Sequence, residues 1–150
     1  MVHDLYQEII LDHSKRPRNC HSMPDATRQA DGYNPLCGDK LKLFVKVEND
    51  IVVDVSFVGS GCAISTASAS LMTESLKGKS REEALKLLEK FHELLTTDSA
   101  VSQDLGKLVV FCGVRDYPAR VKCATLAWHT LLAALDEKSL DEQGQPVSTE

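Results

Sequence analysis

The sequence predicts an α+β fold, in which a small antiparallel β-sheet is packed on one face by about four to five helices. The first observation is a pair of runs, residues 41–48 and 51–58, that alternate between apolar and polar side chains on either side of Asn49-Asp50. This pattern is typical of a β-hairpin with one buried face. The second observation is apolar spacing of the helical type, which occurs before the hairpin and again after it.

The first helix is predicted from Val2 to His13, where apolar residues recur with helical spacing. Pro17 follows soon after, and proline cannot continue a helix. Residues 15–36 are rich in Pro, Asn, Asp and Gly without a clear period, so we expect a long loop with a short edge strand near Gln29 to Tyr33. Loops of this length are usually functional or mobile.

Two further helices are predicted directly after the hairpin. Gly59-Ser60-Gly61 ends the second strand, and an Ala- and Ser-rich helix runs from Cys62 to Leu76. Its small side chains would allow close packing against a sheet or another helix. Ser80 and Glu83 have the spacing of a capping box, in which each side chain accepts a hydrogen bond from the other residue's backbone N–H. An apolar stripe follows them, as expected for an amphipathic third helix.

The last third of the chain is less uniform. Residues 105–114 form an apolar run that is compatible with either a helix or a strand. Asp116-Tyr117-Pro118 interrupts this run, and a final helix with a buried stripe that includes Trp128 follows it. We expect residues 1–138 to form a single domain and the polar residues 139–150 to form a poorly ordered tail.

The composition argues against several classes of function. The chain carries a net charge of −5 with dispersed basic residues, so we expect no nucleic-acid-binding face and no basic membrane-binding face. No segment approaches the run of about 18 apolar residues that a membrane span requires, and we recognise no secretion signal. We therefore expect a cytoplasmic protein. In that reducing compartment, the five cysteines point to metal ligands or reactive thiols more than to disulfides.

Four residues from three segments could form one metal site. Cys37 and Asp39 lie in the loop before the hairpin, Cys62 lies at a strand-to-helix turn, and Cys123 lies near the start of the last helix. Thiolates and carboxylates are common ligands of tetrahedral Zn²⁺, and a helix N-terminus such as that at Cys62 favours the thiolate. Three thiolates and one carboxylate leave the zinc site negative, so Arg120, on the same helical face as Cys123, is the candidate balancing cation.

Each of these residues also has a simpler interpretation. A single cysteine is often a small buried hydrophobic residue, and Asp39 could be a turn residue that bonds its own backbone. We assign Cys20 and Cys112 no metal, since the first lies in a loop and the second in an apolar run. His129 follows Cys123 by six residues, which is about 9 Å of helical rise and a different face, so we exclude it from the same site.

Three stretches, Asn34 to Asp39, Gly59 to Ser70 and Pro118 to Trp128, resemble the SufU branch of the IscU-like (NifU N-terminal-like) family of iron–sulfur cluster assembly. The resemblance covers nearly the whole chain. It implies an IscU/SufE-like fold for a zinc-binding domain of residues 1–138. It also implies a zinc-dependent sulfurtransferase that accepts sulfur from a SufS-type cysteine desulfurase, a pyridoxal-phosphate enzyme, and serves downstream iron–sulfur assembly proteins. The implied zinc ligands are Cys37, Asp39, Cys62 and Cys123.

The implied catalytic residues are Cys37, as the sulfur acceptor, and Arg120, at the position of an arginine near the last ligand. A thiolate held tightly by zinc is a poor nucleophile, so we expect Cys37 to leave the metal before it attacks the outer sulfur of the partner's persulfide. A group from the partner, such as a histidine, would then take its place on the metal.

The IscU branch, whose members are scaffolds for iron–sulfur clusters, is the alternative. There a histidine directly precedes the last cysteine, whereas this chain has Lys122. The Leu-Pro-Pro-Val-Lys chaperone-binding segment of that branch is missing, and the region from Gly78 to Tyr117 is longer, as in SufU-like proteins. These differences favour the sulfurtransferase. We expect an iron–sulfur cluster on the protein only under the scaffold alternative.

Overall fold

The computed structural model describes residues 2–35, 38–96, 103–135 and 147–148. The helices and strands are, in chain order, α1 (Val2–Lys15), β1 (Arg28–Asn34), β2 (Asp39–Glu48), β3 (Ile51–Ser60), α2 (Ala63–Leu76), α3 (Arg81–Thr96), a 3₁₀ helix (Gln103–Asp116), α4 (Pro118–Leu135) and β4 (Val147–Ser148). The strand order is β3-β2-β1-β4, in which the first three strands are antiparallel and the two residues of β4 run parallel to β1. The fold is therefore α+β, with helices packed on a small, mainly antiparallel sheet.

The hairpin of β2 and β3 forms as its alternating pattern predicts. Leu43 and Val45 are fully buried beneath the helices, whereas Lys40 and Lys42 point to the opposite face and are exposed. The turn residues Asn49-Asp50 both have positive φ, 51° and 66°, which is the conformation that a tight two-residue hairpin turn requires. The sheet therefore buries one face and exposes lysines on the other.

The strand predicted near Gln29 to Tyr33 is β1, and it pairs with β2 along its whole length. It is not the edge strand that was predicted, because β4 pairs with its other side at Gly32 and Tyr33. Gly32 lies directly against α4. A Cβ atom at this position would collide with the side chain of Thr130 and would crowd Leu126. Glycine therefore allows the helix and the strand to approach closely. This contact brings the N-terminal half of α4 towards the end of β1.

The small side chains of α2 allow it to pack closely against α4. The Ser68 hydroxyl donates a hydrogen bond of 2.5 Å to the backbone carbonyl of Ala124, and it accepts one of 3.1 Å from the indole N–H of Trp128. Ala67 and Ala69 are buried beside it. The small Ser68 side chain thus joins α2 and α4 by hydrogen bonds next to Cys123.

The apolar run at 105–114, which was ambiguous in the sequence, lies in the 3₁₀ helix. The helix is interrupted at Gly106, where φ is 54° and ψ is −128°. Leu108 and Phe111 are fully buried, and the Phe111 ring meets that of Phe91 on α3 edge to face, with a centroid distance of 5.7 Å. The run is therefore a helical layer over α3.

Most of the predicted tail, residues 139–150, lies outside the described residues, so its poor order stays a prediction. Within it, Val147 and Ser148 form β4 and pair with Gly32 and Tyr33 of β1. Within the described ranges, none of the helices combines the length and the apolar character needed to cross a membrane.

Candidate metal site

Three of the four predicted ligands meet at one point of the fold. One oxygen of Asp39 and the sulfur atoms of Cys62 and Cys123 all lie within 4.8 Å of one another. Asp39 is the first residue of β2, Cys62 immediately precedes α2, and Cys123 lies in the first turns of α4. Cys37 lies outside the described residues, so its part in the site stays a prediction.

The carboxylate of Asp39 is held by the backbone at the start of α2. Asp39 is completely buried, and its Oδ1 accepts a hydrogen bond of 2.8 Å from the backbone N–H of Cys62. Its Oδ2 lies 4.0 Å from Cys62 Sγ. A Cβ atom on Gly61 would lie 2.6 Å from Asp39 Oδ1, so a side chain there would push the carboxylate away. Glycine at 61 therefore leaves the space that Asp39 occupies.

Cys62 occupies the N-cap position of α2. Its backbone is extended (φ −74°, ψ 170°), and its sulfur accepts a hydrogen bond of 3.4 Å from the backbone N–H of Ser65. The unpaired N–H groups of a helix N-terminus favour negative charge, so this position suits a thiolate. Cys62 is partly exposed, in contrast to the buried Cys123.

Asn34 joins the other side of the site, although the sequence marks it only as the first residue of the Asn34 to Asp39 stretch. It is completely buried, and its Nδ2 lies 3.4 Å from Asp39 Oδ2 and 3.4 Å from Cys123 Sγ. Its backbone carbonyl accepts a hydrogen bond of 2.8 Å from Gly38 N–H. Its place in the stretch that resembles the SufU branch was the available signal, but it was not assigned to the site.

The three groups fit zinc in both chemistry and spacing. Two thiols and a carboxylate are typical zinc donors, and they come from separate segments, as in sites that link parts of a fold. Ligand atoms around a tetrahedral zinc with bonds of about 2.0–2.3 Å lie about 3.5–3.8 Å apart. The largest separation of 4.8 Å therefore needs an adjustment of only about 1 Å, which side-chain rotation can supply.

The remaining candidates lie outside this group of three. The Arg120 side chain is exposed, with its guanidinium 4.9 Å from the centre of the Tyr117 ring. Its predicted role in balancing the site's charge stays a prediction. Cys20 is exposed in the loop before β1, and Cys112 is half-buried in the 3₁₀ helix. The His129 ring packs against that of His92, with a centroid distance of 6.4 Å.

Known proteins are similar to this chain in both sequence and fold. The family model of the NifU-like N terminal domain matches residues 5–124. The chain is 44% identical over 128 residues to the zinc-dependent sulfurtransferase SufU of Bacillus subtilis (strain 168), a match that covers 85% of this chain and 86% of that protein. It is 42% identical over 135 residues to the iron–sulfur cluster assembly scaffold protein IscU of Streptococcus pyogenes serotype M1, covering 89% and 84%.

A solved structure extends the similarity to three dimensions. The crystal structure of FiSufU from Fervidobacterium islandicum AW-1, described as an iron–sulfur cluster assembly scaffold protein for the SUF system, superposes with a TM-score of 0.81 at 37% identity, covering 91% of this chain and 100% of that chain. The expected IscU-like α+β fold is thereby confirmed. The chain belongs to the IscU-like family of the NifU-like N-terminal domain, and its similarity to SufU proteins in both sequence and structure supports the SufU branch.

Proposed function

We propose that this protein acts in iron–sulfur cluster assembly as a zinc-dependent sulfurtransferase, which accepts persulfide sulfur from a SufS-type cysteine desulfurase. The observation that carries the proposal is the composition of the site: two thiols and a carboxylate meet, and no histidine nitrogen joins them within the described parts of the chain. The scaffold branch is expected to have a histidine directly before the last cysteine, where this chain has Lys122. The similarity to the sulfurtransferase SufU supports the same function.

The proposed zinc ligands are Cys37, Asp39, Cys62 and Cys123. Zinc, when bound, would keep the thiols deprotonated. The chain's own contribution is to hold Asp39, Cys62 and Cys123 on three packed elements, while Cys37 lies between β1 and β2 in the sequence. In this arrangement the three described groups form the fixed part of the site, and Cys37 is the residue proposed to react.

The reaction at Cys37 is a thiol–persulfide exchange. Its thiolate attacks the outer sulfur of the partner's persulfide, a new S–S bond forms on Cys37, and the S–S bond of the partner breaks. The partner's cysteine leaves as a thiolate, and the transferred sulfur keeps its proton. One S–S bond replaces another, so the step needs no further oxidant or reductant. Arg120 is proposed to balance negative charge near the site during the transfer.

A cluster scaffold is the second candidate function. It is favoured by the name of the Streptococcus pyogenes relative, which matches this chain as strongly as the sulfurtransferase does. Both functions use thiol and carboxylate ligands, so the ligand set separates them only through the histidine that Lys122 replaces. They differ in the reactivity of Cys37, because a scaffold holds a cluster, whereas a sulfurtransferase carries a covalently bound sulfur atom.

The decisive experiment replaces Cys37 with serine and measures alanine production by a SufS-type desulfurase. Cys37→Ser keeps the side-chain size but removes the nucleophile, so it should abolish the stimulation that the parent protein gives. Mass spectrometry of the parent after incubation with the desulfurase and cysteine should find one added mass of about 32 Da on Cys37. Cys20→Ser is the matched control, since Cys20 is exposed and lies outside the site; it should stimulate like the parent.

Two results would count against the sulfurtransferase. One is stimulation by Cys37→Ser that equals that of the parent. The other is a sulfur adduct found on Cys62 or Cys123 and not on Cys37. Either result would make the cluster scaffold the better assignment.

A further inference from the structure

Asn34 contacts two of the proposed ligands. Its side-chain amide donates towards Asp39 on β2 and Cys123 on α4, at 3.4 Å in both cases. Its backbone carbonyl accepts a hydrogen bond of 2.8 Å from the N–H of Gly38, the residue before Asp39. A residue that is not itself a proposed ligand thus joins β1, β2 and α4 at the site.

The chemistry of an amide suits this position. The NH₂ group of asparagine offers two donors without a charge, whereas a carboxylate and a thiolate are acceptors. Asp39 and Cys123 are nearly inaccessible to water, with exposures of 0% and 2%, so water contributes little to their solvation. Buried acceptors without donors are costly. An amide placed between Asp39 and Cys123 supplies a donor to each of them.

The fold explains how an amide on β1 reaches a thiol on α4. Asn34 pairs with Asp39 in the register of β1 and β2, which places the amide beside the carboxylate. Gly32, two residues earlier on the same face of the strand, allows α4 to approach at Thr130. Asn34 is therefore carried by a strand whose distances to both neighbouring elements are set by tight packing.

We propose that Asn34 is a positioning residue, which holds the Asp39 carboxylate and the Cys123 thiol facing each other so that the metal meets a preformed pair of ligands. The inference rests on the proposed function, because it takes both residues as ligands. Residues that orient metal ligands through hydrogen bonds typically change the metal affinity by about 10- to 100-fold when they are replaced. The hydrogen bond from Gly38 N–H goes to the backbone carbonyl of Asn34, so a substitution of the Asn34 side chain tests the amide itself.

The test compares Asn34→Leu with Ser68→Ala in the full chain. Leucine has the same number and branching of side-chain heavy atoms as asparagine but is larger and has no donor, so Asn34→Leu should weaken Zn²⁺ binding about 10- to 100-fold in competition with a chelator. In the Co²⁺-loaded protein it should shift the visible absorption bands, which report the ligand geometry. Ser68→Ala removes a buried hydrogen bond between α2 and α4 without touching the ligands. It should lower the stability of the metal-free protein but leave the Co²⁺ spectrum unchanged.

The outcomes separate this inference from the proposed function. If Asn34→Leu binds Zn²⁺ within about threefold of the parent, or gives the parent's Co²⁺ spectrum, Asn34 has no positioning role. If the parent itself binds no zinc, the proposed function fails, whatever the variant does. If Asn34→Leu does not fold, the same two measurements on Asn34→Ser decide the question, since its shorter hydroxyl should recover only part of the affinity.

Discussion

His13 is a buried ionisable side chain that lies between α1 and α2. It is 2% exposed, its Nδ1 lies 2.7 Å from the Ser70 hydroxyl, and its Nε2 lies 3.6 Å from a carboxylate oxygen of Glu74. Burial lowers the pKa of His13 below its usual value, and the positive charges of Arg18 and Lys107 lower it further, while Glu74 and Asp12 act in the opposite direction. The neutral imidazole is therefore the form that the folded protein prefers.

This lowered pKa predicts a loss of stability in mild acid. The unfolded chain takes up a proton on His13 near the ordinary pKa of 6.5, whereas the folded chain takes it up only at lower pH. The stabilising effect is therefore complete above pH 6.5 and is lost as the pH falls towards the lowered value in the folded protein. Urea unfolding at about pH 7.5 and about pH 5.5 should show a lower midpoint at the lower pH.

His13→Gln should reduce this difference between the two midpoints, because glutamine cannot be protonated. A residual difference is expected from His129, whose pKa is also lowered by burial and by His92. His21→Gln, at an exposed histidine in the loop before β1, is the control and should keep the parent's difference. An unchanged difference in His13→Gln would mean that His13 does not link folding to pH.

Single residues were predictable where the local sequence carried a signal. Cys62 stood out because it follows Gly59-Ser60-Gly61 at the start of a helix, and the structure places it at the N-cap. His13 carried no such signal, since helical spacing shows which face a residue occupies but not which helix covers that face. Asn34 was missed for the same reason: its contact with Cys123 joins residues that are distant in the chain and depends on the packing of α4.

At the scale of one element, the capping box at the start of α3 allows a direct test of how local hydrogen bonds stabilise a helix. The Ser80 hydroxyl accepts a hydrogen bond of 3.1 Å from the N–H of Glu83, and a Glu83 carboxylate oxygen accepts one of 2.9 Å from the N–H of Ser80. These bonds satisfy two backbone donors that the helix itself leaves unpaired. The pKa of Glu83 is lowered by its hydrogen bonds to the backbone and side chain of Ser80, as expected for a carboxylate in this role.

Ser80→Ala should therefore lower the free energy of unfolding by about 1 kcal/mol, measured by urea denaturation. Glu83→Gln is the matched control, because glutamine keeps the accepting oxygen of the capping box, and it should lie closer to the parent. If Ser80→Ala were as stable as the parent, the cap would not contribute to the stability of α3.

The elements that periodicity predicts well are those with one buried face. The hairpin and α3 are of this kind, and the structure confirms both. The apolar run at 105–114 was ambiguous because Val109-Val110-Phe111 favours a strand by composition. Four of its five buried residues recur every third position, the period of a 3₁₀ helix: Leu105, Leu108, Phe111 and Val114; the fifth is Val110. β4 was not predicted at all, since its pairing partner β1 is distant in the sequence.

At the scale of the whole molecule, the candidate site joins three elements that are far apart in the sequence. We expect the purified protein to hold close to one zinc per chain, as elemental analysis would show. Ligand binding to the folded state stabilises it, so removal of zinc with a chelator should lower the melting temperature, measured by differential scanning calorimetry. Iron, or no metal, in protein isolated without added metal would contradict the zinc assignment.

Two cysteine variants act as controls for that measurement. Cys20→Ser and Cys112→Ser should retain the zinc content of the parent, because neither side chain belongs to the group around Asp39. Zinc loss in either variant would show that the ligand set is wrong.

The distribution of the site over β2, α2 and α4 also has a consequence for protein synthesis. The ribosome makes Asp39 first, Cys62 next, and Cys123 only after α2, α3 and the 3₁₀ helix have been completed. A nascent chain that stops before α4 therefore carries one carboxylate and one thiol of the described group and lacks the other thiol. Translation products that stop before Cys123 thus cannot assemble the full site, and acquisition of the metal becomes a step that waits for the start of α4.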